Sequence, residues 1–300
     1  MQKPEMTTYE FDDMFPNEAS CRQYLFDMKY PKGFVCPKCG HDGYYEVKSC
    51  KRIQCKECRH QTSITAGTIF HKTRTPLRIW FKIINMVAKD KRGVSALAIS
   101  RDFPISYPTA WTILHKIRKA MGNRDQNYVL NGIVEVDDGY FGTETHNKKR
   151  GRGTEKAKVL VSVSVNENNK ARYAKMDVVD DLIKDTLHSK IKNNIEKESI
   201  IEYDGYPSYS GIDSLSYEHT KHNASEEDIS EILKGVHTLI SNVKAFITGT
   251  YHGVAKKHLQ SYLSEYCYRF NRRFWHNQLF GRLLDVCINS QPITFAALTL

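Results

Sequence analysis

Two Cys-x-x-Cys pairs near the start of the chain, Cys36/Cys39 and Cys55/Cys58, constrain the fold more than any other feature. Fifteen residues separate the pairs, and the stretch between them is rich in short β-forming runs. Each turn lets two thiolates face one ion, and the strands bring the two turns together. The spacing predicts a four-thiolate zinc ribbon. Cys50 lies between the pairs as a spare thiol, and His41 and His60 stand beside them as rival ligands. A pair of disulfides is the alternative. The N-terminus, MQKPEMTTYEFDDMF, has no apolar core flanked by basic residues, so a reducing compartment is expected and disulfides are not. Cys21, Cys267 and Cys287 are scattered.

The chain has 300 residues, a formal charge of +10 and 40% apolar residues. That is enough for one large domain or a few small ones with a real core. The positive balance favours a polyanionic partner, because cations on DNA or RNA release condensed counterions. No apolar run approaches the length that crosses a bilayer.

Residues 17–29 repeat apolar positions as a short amphipathic helix. Residues 76–90 open on Pro76 and continue at helical spacing. The next stretch reads as helix, break and helix. Val94, Leu97 and Ala98 mark the first apolar face, Phe103–Ile105 the break, and Ala110, Trp111, Leu114, Ile117 and Met121 the second face. This pattern fits a helix-turn-helix or an ordinary helical hairpin, and Lys116, Arg118 and Lys119 on the second helix favour DNA contact. At 131 the texture changes. NGIVEVDDGYF alternates like a strand, VLVSVSVNENNKARYAKMDVV reads as a hairpin turning at Glu167–Asn169, DDLIKDTLHSKIKNNI is helical, and ESIIEYDG is a short strand. YEHTKH reads as another strand, and the chain from 226 onward is mostly helical.

Asp137 and Asp204 each follow an apolar β run. Two strand-borne carboxylates side by side can hold hard divalent cations. A pair of such ions activates a water or hydroxyl against a phosphodiester. The ordinary alternative is a turn-starting Asp, and Asp-Gly at 204–205 is a common turn dipeptide. Three strands, a helix and a further strand, with acids on the first and fourth strands, is the chain order of an RNase H-like sheet.

The stretches FVCPKCG, CKECRHQTSITAGTIFHKTRTPL, VEVDDGYFG, KKRGRGTEKAKVLV, YDGYPSY and HTLISNVKAFITGTYHGVAKKHLQSYLSEYCYRFNRRF carry a resemblance. In this order they resemble DDE-type insertion-sequence transposases with an N-terminal zinc ribbon, the ISXO2-like or IS1595-type family. The resemblance covers about residues 20 to 280. It implies an α/β protein with an RNase H-like catalytic domain behind a small zinc ribbon and a helical helix-turn-helix region. The expected division is an N-terminal helical segment over 1–29, the ribbon over 30–74, the helix-turn-helix region over 75–125, the catalytic domain over 126–285 and a tail over 286–300.

Carried over residue by residue, the resemblance makes Asp137 the first catalytic acid and Asp204 the second, with Asp138 beside the first. The third position is usually a Glu seven residues before a Lys on one helix. Here Lys244 matches the Lys, and His237 stands where the Glu is expected. Relatives replace that Glu with Asn or His, and Asn242 is the rival choice. The implied ions are Mg²⁺ or Mn²⁺ at Asp137, Asp204 and His237, and Zn²⁺ at Cys36, Cys39, Cys55 and Cys58. Lys244, Lys148, Lys149, Arg150, Arg152 and Lys156 are expected on phosphate. Arg269, Arg272 and Arg273 alternate with Tyr268, Phe270 and Phe274. They fit either DNA contact or a core helix with a solvated edge. The implied partners are double-stranded DNA, at the terminal inverted repeats and the target, and further copies of the chain in a dimer or larger assembly. The expected place is the nucleoid in a prokaryotic cytoplasm. A catalytically inactive zinc-ribbon DNA-binding protein derived from a transposase is the rival reading. A structural zinc protein on ribosomal RNA is a second.

Overall fold

The computed structural model describes residues 6–142, 155–222 and 233–299. Its contacts divide the chain into two compact units, residues 1–121 with 275–300, and residues 122–274. In chain order the first part holds helices α1 (Thr8–Met14) and α2 (Glu18–Lys29), strands β1 (Tyr44–Val47), β2 (Arg52–Cys55) and β3 (Gln61–Thr62), and helices α3 (Leu77–Lys89), α4 (Ala96–Asp102) and α5 (Tyr107–Asp125). Then follow β4 (Ile133–Phe141), β5 (Ala157–Val165), β6 (Ala171–Val179), α6 (Lys184–Asn194), β7 (Ile200–Asp204) and β8 (Glu218–His222). Four helices close the chain: α7 (Lys234–Tyr251), α8 (Lys256–Asn271), α9 (Leu279–Asn289) and α10 (Ala296–Thr299).

In the first unit, α1 and α2 each begin with a reciprocal capping box, Thr7 with Glu10 and Asn17 with Ser20. These pairs satisfy backbone N–H groups that a helix start leaves open. Pro76 gives α3 no side-chain cap. Glu18 of α2 supplies one from outside, accepting from the N–H groups of Leu77 at 2.9 Å and Arg78 at 3.0 Å. A carboxylate there also meets the positive end of the helix dipole. The core is an aromatic cluster. Phe15 lies 5.1 Å from Phe81 and 5.8 Å from Phe280, ring centre to ring centre, both edge-on. Phe280 belongs to α9, so this helix packs with the N-terminal unit instead of closing a catalytic domain at 285. An apolar stripe at helical spacing says that a helix will be buried but not against which partner. Leu97 of α4 is exposed, while Ala96 and Ile99 are buried. The apolar face of that short helix is thus turned from the expected one.

The second unit is built on a five-stranded sheet in the order β6-β5-β4-β7-β8. Strands β4, β5 and β6 form an antiparallel meander, β7 runs parallel to β4, and β8 parallel to β7. The predicted turn falls between β5 and β6, where Asn169 takes a positive φ of 53°. This order, with the meander first and a helix leading to the parallel strand, is the RNase H-like arrangement. Residues of β5 and β6 pack with Val236, Leu239 and Val243 of α7 and Leu259 and Leu263 of α8 on one face. Val134, Val136, Leu160 and Ile201 pack with Leu187 and Ile191 of α6 on the other. Strand β5 is therefore buried on both faces, with Ser162 and Ser164 among its buried residues.

The outer edge of β6 is closed by amide side chains of α8. Asn271 accepts from the Ala174 N–H at 2.7 Å and donates to the Ala174 carbonyl at 3.0 Å. Gln260 accepts from the Val178 N–H at 2.8 Å and donates to the Met176 carbonyl at 2.9 Å. These bonds replace the missing neighbouring strand and block edge-to-edge pairing. Asn271→Leu leaves both Ala174 groups unpaired beneath a helix, so it should cost about 1–3 kcal/mol in urea unfolding. A loss under about 0.5 kcal/mol would mean that water substitutes for the amide.

Candidate active site and metal centre

The four paired cysteines converge. Their sulfur atoms all lie within 4.8 Å of one another. Cys36 and Cys58 are 3.6 Å apart, as are Cys39 and Cys55. Each turn is closed by a residue in the left-handed region, Gly40 at φ 77° after the first pair and Arg59 at φ 56° after the second. The antiparallel pairing of β1 with β2 sets Tyr44 opposite Cys55 and holds the turns together. Burial works against ionisation of the Cys36 thiol. The N–H groups of Lys38 and Cys39 and the neighbouring thiols outweigh it and pull the thiol down to about 6. Four thiolates at this spacing fit Zn²⁺. His41 and His60 lie outside the cluster, and Cys50 is exposed with its sulfur 3.8 Å from the Val47 carbonyl.

In the second unit, Val136 of β4 pairs with Tyr203 of β7. Asp137 and Asp204 are the next residues on these two strands, whose backbones run roughly 4.8 Å apart. The N–H of Asp138 donates to Asp137 Oδ1 at 2.7 Å, and the N–H of Tyr206 donates to Asp204 Oδ1 at 3.3 Å. These bonds orient both carboxylates. Helix α7 lies over this face and brings His237 to them, with Nδ1 3.6 Å from Asp137 Oδ2. Burial lowers the His237 pKa, and the charge of Asp204 only partly opposes it. The ring is therefore neutral near pH 7 and offers a lone pair. Asn242 is exposed on the same helix, on a turn that does not share this contact. Among the described residues the four cysteines are the one group of three or more His, Cys, Asp or Glu side chains whose ligand atoms converge on a common point. Asp137, Asp204 and His237 do not converge that closely; the close approach among them is that of His237 to Asp137.

Two further acids share this face. A strand alternates sides, so Glu135 lies with Asp137, and Glu202, paired with Glu135, lies with Asp204. Glu135 is fully buried, and its Oε2 accepts from the Val236 N–H at 2.7 Å. Burial pushes its carboxyl up to about 7, the Val236 N–H opposes this, and the Glu202 charge adds to it. His222 Nε2 of β8 lies 4.0 Å from Glu202 Oε2. Sequence reading passed over Glu135 and Glu202. The signal was present as an acid two residues before each expected ligand.

Lys244 stands on the next turns of α7, with Nζ 5.7 Å from the centre of the Phe141 ring. Both border a cavity of about 710 Å³ that Tyr140, Lys156, Val254 and Lys256 also line. The other expected DNA contacts divide. Lys148, Lys149, Arg150 and Arg152 lie outside the described residues. Lys119 is exposed. Lys116 donates to the Ile69 carbonyl at 3.3 Å, and burial lowers its pKa. Arg118 is 2% exposed and does not present its guanidinium to a duplex. On α8, Arg269 pairs with Glu265 at 3.8 Å, and just past the helix end Arg272 pairs with Asp125 at 2.7 Å. Arg273 donates to the carbonyls of Phe270, Arg172 and Ala171. Arg272 also sits 3.7 Å from the centre of the Tyr268 ring. Arg272 and Arg273 tie the segment after α8 to Asp125 and to the carbonyls of β6, while Arg269 pairs within α8 and lies 5.3 Å from the centre of the Phe246 ring of α7, so all three are engaged in packing.

Residues 129–271 match the family model of the ISXO2-like transposase domain, and residues 16–61 match that of the transposase zinc-ribbon domain. A Halobacterium salinarum protein, "Uncharacterized protein in transposable element ISH50", is 24% identical over 147 residues. That match spans 46% of this chain and 49% of the relative, about half its length. Two solved structures show distant likeness. A pre-cleavage Mos1 transpososome has a TM-score of 0.29 at 10% identity over 71% of this chain and 79% of that chain. The Mos1 strand transfer complex has a TM-score of 0.28 at 12% identity over the same shares, 71% and 79%.

Proposed function

We propose that this chain, a member of the ISXO2-like transposases that carry an N-terminal zinc ribbon, cleaves DNA at the ends of an insertion sequence and joins the freed 3′ ends to target DNA. One observation carries this reading. Asp137 and Asp204 occupy neighbouring positions on β4 and β7, and His237 reaches to within 3.6 Å of Asp137. Asp137, Asp204 and His237 would hold divalent cations, Mg²⁺ or Mn²⁺. When bound, such ions polarise the scissile phosphate, activate the attacking oxygen and stabilise the leaving one. Asp137 and Asp204 supply hard anionic ligands and stay oriented by the N–H groups of Asp138 and Tyr206. His237 supplies a neutral third donor. Lys244 and Lys156 face the adjacent cavity, where they pair with phosphates of the bound strand. The zinc ribbon and the α4–α5 region recognise the element ends, with Lys119 and the basic segment 148–152 on the DNA backbone. Joining two ends requires two such sites, so the working form is a dimer or larger assembly on DNA.

The test is cleavage of a duplex bearing the element's own end, with Mg²⁺ or Mn²⁺. A nick that leaves a 3′-hydroxyl is expected. Binding without a nick in either metal leaves the DNA-binding reading instead. A single-point imidazole suits Mn²⁺ better than Mg²⁺. His237→Glu should therefore raise the Mg²⁺-to-Mn²⁺ rate ratio by about tenfold, ~1.4 kcal/mol; an unchanged ratio removes His237 from the metal. Affinity for DNA should fall steeply with salt, and Lys156→Ala should flatten the log–log slope by about one, the share of one phosphate.

A further inference from the structure

Helix α7 begins without a cap of its own. Its N-cap residue, Leu233, makes no side-chain hydrogen bond, and no acid lies in its first turn. The carboxylate that serves it comes from β4. Glu135 Oε2 accepts from the Val236 N–H at 2.7 Å. One residue further along the helix, His237 meets Asp137, two residues further along the strand. The same strand and helix therefore touch twice in succession, first through a buried hydrogen bond and then through the two metal-site residues. Gly235 makes the approach possible, since a Cβ there would stand 2.9 Å from Glu135 Oε2 and 3.2 Å from Oε1. Simple burial does not explain the choice of residue, because an apolar side chain fills such a position at less cost. Glu18 caps α3 in the same way, but no metal-site residue follows there.

We propose that Glu135 is a positioning residue: by holding the N-terminal turn of α7 through Val236, it sets His237 against Asp137 and so shapes the third ligand position. This rests on the proposed function only for the identity of the ligands. The contact itself is tested without DNA. With histidine rings labelled for NMR in the metal-free protein, Asp137→Asn shifts the His237 ring resonances in a wild-type background. The shift should persist beside Glu135→Gln, whose side-chain oxygen still accepts from Val236. It should vanish beside Glu135→Ala and beside Gly235→Ala, which pushes the carboxyl away. Mn²⁺ titrated against the protein and read by electron paramagnetic resonance should bind about tenfold more weakly in Glu135→Ala and within about twofold of wild type in Glu135→Gln, the usual scale for an outer partner of a metal ligand. Thermal melting identifies which variants are folded. A folded Glu135→Ala with an unchanged ring response and Mn²⁺ affinity overturns the proposal, and so does a folded Glu135→Gln that loses as much as Glu135→Ala. If the wild type binds no Mn²⁺ and nicks no DNA, the metal reading of the site falls, and the NMR comparison still decides the role of Glu135.

Discussion

Asp137→Asn and Asp204→Asn should each reduce nicking of element-end DNA by on the order of a thousandfold, or ~4 kcal/mol of transition-state stabilisation. Both changes keep the shape of the side chain and an oxygen that can accept from the N–H groups of Asp138 and Tyr206. The loss is one negative charge at the point where two strands bring their carboxylates together. An amide is a poor ligand for a hard cation, and removing one of two anionic donors weakens the site far more than it disturbs the fold. DNA binding at fixed salt should stay within about twofold of wild type, since the proposed phosphate contacts are lysines and arginines elsewhere. Asp138→Asn is the internal control. Asp138 alternates to the other face of β4, so its variant should cleave normally. Wild-type nicking by both the Asp137 and Asp204 variants would remove these acids from the chemistry.

The second large effect concerns the ribbon. The purified chain should hold about one Zn²⁺, and replacing Cys55 and Cys58 with Ser should release it. Binding of zinc to such four-ligand sites is worth roughly 10–16 kcal/mol, most of which appears as folding free energy of the small domain. The three strands of the ribbon are short, with β3 only Gln61–Thr62. They bury few side chains, among them Ile53 and Thr62. A sheet of that size does not hold itself together in water. Loss of zinc should therefore unfold residues near 34–62 while the RNase H-like sheet stays folded, as read by zinc content and by hydrogen exchange in the two regions. Full zinc content in the double Ser variant would place the ion on other ligands.

Much of this was legible from residues in a row. The ribbon could be read because metal geometry demands pairs of thiols at short spacing, and such pairs are rare by chance. The β4–β5 meander could be read because strands buried on both faces, such as VLVSVSV, carry unbroken β-forming runs. The arginines at and just past the end of α8 were harder. Their alternation with aromatics fits a DNA-binding helix and a packed one equally well. Only the carbonyls of Ala171 and Arg172 and the carboxylate of Asp125, close in space but distant along the chain, decide for packing. Arg118 carried a charge that suggested the surface, yet it is buried.

The order of residues alone determined that two Cys-x-x-Cys turns would lie fifteen residues apart, that three β-forming runs, a helix and a further β-forming run would follow one another, and that each of two of those runs would carry an acid after its apolar stretch. These follow from local spacing and alternation, which act over a few neighbours. The tertiary structure decided that α9 packs with the N-terminal unit, that His237 and not Asn242 reaches the acids, and that Glu135 lies beneath the helix that carries His237. Each of these depends on which surfaces meet across long loops, and contact between distant segments is set by packing that no local pattern encodes.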